Sequence, residues 1–111
     1  MIGKRFSAVL IFLLFSPAVL GAGEVFSIAR LKYGGGGDWY SNPSSLPNLM
    51  RFVREKTGIA ASEKELVVSP DSEELFACPA AYMNGHGNVA FTDREASALR
   101  RWLAGGGFLI A

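Results

Sequence analysis

Short apolar runs separated by helical patterns and glycine stops constrain this chain more than any other feature. Leu66-Val67-Val68-Ser69 is bounded by Pro70, Ala80-Ala81-Tyr82-Met83 by Asn84-Gly85, and Phe108-Leu109-Ile110-Ala111 follows three glycines. These runs are continuous rather than alternating, which is the pattern of strands buried on both faces. A fourth run, Phe26 to Leu31, mixes larger apolar residues with small or polar ones and ends in Tyr33-Gly34. Between the runs lie two helical patterns and one short turn. Leu46, Leu49, Met50 and Val53 recur at helical spacing, with Ser44 or Ser45 as cap and Pro47 in the first turn. Gly58 supplies a left-handed stop, against which Ile59 is expected to fold back. Asp71 to Phe76 has room for one helical turn. Thr92-Asp93-Arg94-Glu95 reads as a capping box opening a helix whose apolar face is Ala96, Leu99, Trp102 and Leu103. Strands alternating with helices predict the α/β class with a mostly parallel sheet covered on both faces.

The N-terminus reads differently. Lys4 and Arg5 precede the apolar run Phe6 to Phe15, followed by Ser16-Pro17 and the small residues Gly21-Ala22-Gly23. That order predicts a secretory signal peptide over residues 1–22, and hence export to the periplasm or the exterior. The run is shorter than the roughly 20 residues of a membrane span. An uncleaved N-terminal anchor is the alternative, and the only membrane attachment the sequence suggests. Without this segment nine basic side chains stand against ten acidic ones, so no nucleic-acid partner is implied. A single Cys78 precludes an internal disulfide, and its neighbours Ala77, Pro79, Ala80 and Ala81 offer no base to activate a thiol. One histidine and no ligand spacing leave no metal site, and no cofactor fingerprint is present.

Two glycine-rich loops follow strands and so fall on one rim of the sheet. Gly34, Gly35, Gly36 and Gly37 allow close backbone approach, with Asp38, Trp39 and Tyr40 beside them as acceptor, stacking face and hydroxyl. The string lacks the Lys and Ser/Thr of a P-loop. Asn84, Gly85, His86, Gly87 and Asn88 form the second loop and hold the only histidine. His86 and Asp38 are the candidate catalytic residues, His86 acting as a base only if an acceptor orients it. Asp71, Glu73 and Glu74 read as a solvated helix start. No nucleophile elbow occurs, and Ser69, Ser72 and Ser97 have no triad context.

The segments Ala29 to Tyr40, Leu46-Pro47-Asn48-Leu49, Leu75-Phe76, Tyr82 to Asn88, Leu99 to Leu103 and Gly105 to Leu109 resemble, in order and spacing, the family called domain of unknown function 4159. The resemblance covers the chain from about Val25, and the string Tyr-Gly-Gly-Gly-Gly-Asp-Trp-Tyr is its most specific part. It implies a flavodoxin-like three-layer sandwich similar to class I glutamine amidotransferases and trehalose-utilisation-type proteins, in bacterial exported or membrane-anchored settings, with no known reaction. It also implies that residues 24–111 are a partial domain, incomplete at the C-terminus. Such a piece is expected to be molten or aggregation-prone unless a partner completes it. The leading functional expectation is a domain that binds a small polar ligand or a cell-envelope partner at the two loops. The alternative is a hydrolase or amidotransferase-like enzyme in which His86 and Asp38 assist a nucleophile lying beyond Ala111. A third is an assembly piece whose last strand pairs with another chain.

Overall fold

The computed structural model describes residues 25–111; the signal peptide expected over residues 1–22 lies outside the described residues. Seven elements follow one another: β1 (Ile28–Leu31), α1 (Ser45–Thr57), β2 (Leu66–Val68), α2 (Glu73–Phe76), β3 (Ala80–Tyr82), α3 (Asp93–Ala104) and β4 (Phe108–Ile110). The four strands form one sheet in the order β2-β1-β3-β4, and every pairing is parallel. The class is therefore α/β with an all-parallel sheet, consistent with a flavodoxin-like sandwich. No helix among the described residues is long and apolar enough to cross a membrane.

Side-chain alternation along the central strands divides the core in two. Ala29 and Leu31 of β1, Val68 and Ala81 pack with Leu75, Cys78, Leu99 and Trp102, so α2 and α3 cover one face. Ile28 and Ala80 point to the other face, where Leu46 and Met50 of α1 and Ala61 meet them. Three layers result, because the crossover through α1 leads from β1 to one edge while that through α3 leads from β3 to the opposite edge. Parallel crossovers of one hand that run in opposite directions must lie on opposite faces.

Local signals account for the element ends. Gly58 closes α1 at φ 70°, the left-handed conformation a glycine adopts without strain. The capping box at α3 is complete: Thr92 Oγ1 accepts from the Glu95 amide at 3.1 Å, and the Thr92 amide donates to Glu95 Oε2 at 2.8 Å. Cys78 is buried, and burial pushes its thiol pKa up, away from nucleophilic character.

Several expectations are corrected. Neither serine caps α1 in the expected way, since Ser44 stands at the cap without a side-chain hydrogen bond. Ser45 instead donates through Oγ to the Asn42 carbonyl at 2.8 Å and accepts from Arg30. Ile59, beyond the Gly58 stop, remains half exposed. The buried stripe of α3 is Ala98, Leu99 and Trp102, while Ala96 and Leu103 face solvent. The β2 and β4 runs are not buried throughout: Leu66, Val67, Phe108 and Ile110 are exposed because these strands form the two edges of the sheet. Arg94, whose side chain is largely exposed, pairs with Asp71 at 3.3 Å, so the acidic residue at the α2 start is not purely solvated.

Candidate functional site

The strand order reverses between β1 and β3, and the loops that leave the C-terminal ends of these two strands meet there. In open α/β sheets this switch point forms a crevice, because the connecting chains depart to opposite sides. The first loop carries Gly34–Tyr40 and the second Asn84–Asn88, so the residues singled out in the sequence converge at one end of the sheet.

Backbone hydrogen bonds zip the two loops together. Gly37 donates to the Asn88 carbonyl at 3.0 Å, Asp38 to the His86 carbonyl at 3.0 Å, and Ala90 to the Gly34 carbonyl at 2.9 Å. Beneath them, the buried Tyr33 hydroxyl donates to the Asn84 carbonyl at 3.0 Å. Gly85 sits at φ 141° and packs so closely that a Cβ there would overlap the Tyr33 hydroxyl and Asp38. Glycine is therefore required at this position on two counts, backbone conformation and space.

Asp38 and His86 are joined twice more. Asp38 Oδ1 accepts the His86 amide, and Oδ2 lies 3.2 Å from His86 Nδ1. The carboxyl pKa is lowered, chiefly by the backbone hydrogen bond from His86 and then by the ring contact. A carboxylate with a depressed folded-state pKa contributes its contacts fully above the ordinary aspartate range and loses them as pH falls through the lower value. In an acid titration followed by NMR, the His86 amide resonance is expected to move with a midpoint below about pH 4. A midpoint at or above that value would contradict the double anchoring of Asp38.

The rim divides into exposed and committed groups. The His86 side chain is 86% exposed and that of Asp38 34%. Gly34, Gly35, Gly36, Gly85 and Gly87 are exposed, as is Tyr40, whose ring meets that of Trp39 edge-on at 5.6 Å. The Lys32 ammonium stands 5.6 Å from the Trp39 ring. Gly37 is buried. Asn84 is spent on structure: its Oδ1 accepts from Arg30 Nη1 at 2.9 Å, and its Nδ2 reaches the Ser41 carbonyl and hydroxyl at 3.3 Å. Beside the second loop, a cleft of about 470 Å³ is lined by Tyr33, Tyr82, Met83, Asn84, Gly85, Val89, Ile110 and Ala111.

Sequence reasoning missed Arg30. It is 1% exposed in the middle of β1, and all three guanidinium nitrogens are engaged. Nε donates to Glu65 Oε2 at 2.9 Å, Nη1 to the Ser41 carbonyl and Asn84, and Nη2 to the Asn42 carbonyl and Ser45 Oγ. Its charge also lies 5.6 Å from the Tyr82 ring centroid. The available signal was a lone charge inside an otherwise apolar strand, which demands buried partners. Among the described residues no three acidic, cysteine or histidine side chains are grouped to hold a metal ion.

The comparison with known families agrees with the loop strings that carry the site. The model described as "Domain of unknown function (DUF4159)" matches residues 27–111, which include both loops and all seven elements named among the described residues. No curated protein matches the chain. On this match the chain belongs to the DUF4159 family.

Proposed function

We propose that the rim formed by the loops after β1 and β3 binds a small polar ligand, contacted by Asp38, His86 and the Trp39–Tyr40 pair. The observation that carries this reading is the convergence of exposed polar and aromatic groups on the β1/β3 switch point, where α/β sheets offer their ligand crevice. A neutral ligand suits the rim better than an anion. The Gly37, Asp38, His86 and Ala90 amides are already donating within the loops, so they are not available to cradle a phosphate. The Asp38 carboxylate repels one as well. A second reading, a hydrolase or amide-transferring enzyme, draws its support from the 3.2 Å contact between His86 Nδ1 and Asp38 Oδ2. Export by way of residues 1–22 would place either activity in the cell envelope.

The test is an NMR titration of the chain with three probes: sorbitol, glutamine and inorganic phosphate. Sorbitol or glutamine at millimolar concentration is expected to shift the Gly36, His86 and Gly87 amides, and phosphate to leave them in place. If none of the three probes moves these signals, the binding reading falls.

A further inference from the structure

We infer that His86 is the proton-accepting residue of the rim, held by Asp38 as a positioning residue, and that it acts on a neutral ligand carrying an O–H or N–H group. Four observations support it. Asp38 Oδ2 faces Nδ1 at 3.2 Å, so a carboxylate acceptor stabilises the tautomer that carries its hydrogen on Nδ1. That tautomer leaves Nε2 bare, with a lone pair. The carboxylate is itself fixed, because Oδ1 accepts the His86 amide and the Asp38 amide donates to the His86 carbonyl at 3.0 Å. The imidazole is 86% exposed, and among the described residues Nε2 has no hydrogen-bond partner.

This is the relation between base and orienting carboxylate that lets an imidazole take a proton from a hydroxyl in Ser-His-Asp arrangements. In the step, the ligand's O–H bond breaks and its electron pair stays on oxygen. The proton forms Nε2–H, and the resulting imidazolium stands beside the Asp38 carboxylate, which offsets its charge. A merely structural ion pair would need only a charged ring in contact with Asp38. It would not need the second anchor through Oδ1, nor Nε2 open to solvent. The inference rests on the rim as the binding surface, yet its readout needs no ligand.

His86 is the only histidine of the chain, so its ring is read without ambiguity. The experiment is nitrogen-15 long-range correlation NMR of the imidazole, recorded where its two nitrogen shifts themselves show the neutral ring. A histidine ring free in water favours hydrogen on Nε2; here the Nδ1–H form is expected to dominate. Asp38→Asn should reduce that excess. Diethyl pyrocarbonate should modify Nε2 in the wild-type chain and both ring nitrogens in the variant. An Nε2–H majority in the wild type overturns the inference even if Asp38→Asn loosens the loop, and so does an Nδ1–H excess that a folded Asp38→Asn retains. Rim amides that respond to sorbitol or glutamine while the tautomer stays ordinary would leave the binding reading standing and remove the proton-accepting role.

Discussion

Replacing Arg30 by methionine is expected to abolish cooperative folding or remove a large part of the stability, measured as the urea midpoint of the chain. The guanidinium is buried at 1% exposure and makes five hydrogen bonds to partners 11 to 54 residues away, among them Glu65 of the segment before β2 and Asn84 of the second loop. Methionine matches the length of the stem and packs without strain, so the loss would be polar. Removing one partner of a buried charged network costs about 3–5 kcal/mol, because the groups left behind have surrendered their water. A domain of this size has about 5–10 kcal/mol in total. Pairing the change with Glu65→Gln should recover little. Two of the five acceptors are the backbone carbonyls of Ser41 and Asn42, which no side-chain replacement removes. Arg30→Lys should also fail to restore the midpoint, since one ammonium cannot span acceptors that the planar fork reaches in three directions. A wild-type midpoint for Arg30→Met would mean that the network is not a determinant of the fold.

The same residue marks the limit of what the sequence made legible. Periodicity and punctuation located the elements, because each was written locally: the Thr92–Glu95 box and the Gly58 stop depend on neighbours within four residues. The convergence of the two glycine loops was also legible, since parallel strands send successive loops to one rim and only the order of β1 and β3 remained to be found. Long-range consequences were not. Arg30 looked like the polar member of a mixed strand, yet its partners lie 11 to 54 residues away and no local pattern names them. Asn84 read as a ligand group, but the fold commits its amide to Arg30 and Ser41. The exposure of Leu66, Val67, Phe108 and Ile110 was hidden for a related reason. A continuous apolar run signals a strand, whereas only the sheet order reveals which strands are edges. The pairing of Asp38 with His86 stood as a condition in the sequence, and the zipper of backbone bonds between the loops is what fulfils it.

Gly107→Ala is expected to be strongly destabilising in the native chain and close to neutral once Trp102 has been made smaller. A Cβ at Gly107 would overlap the six-membered ring and fusion atoms of the Trp102 indole. The indole is held where it is. It is 4% exposed, packs in the core with Leu75, Cys78 and Leu99, and is tethered by its Nε1–H donating to the Cys78 carbonyl at 3.0 Å. Overpacking of a filled core costs about 1–3 kcal/mol, and a fixed ring puts this case at the upper end. Trp102→Leu removes the overlapping atoms at its own cost of about 2–4 kcal/mol, from lost packing and an orphaned Cys78 carbonyl. In that background the added methyl enters vacated space. Gly107 does not occupy the left-handed region, so alanine there restricts the unfolded chain without strain, an effect of about 0.4–1 kcal/mol in favour of folding. The double-mutant cycle should therefore give a favourable coupling of 2 kcal/mol or more, well beyond the roughly 0.5 kcal/mol scatter of independent sites. Additive urea midpoints would show that the Gly105–Gly107 turn yields to the methyl. The tight seat of the indole against that turn would then contribute little to holding α3 on the sheet.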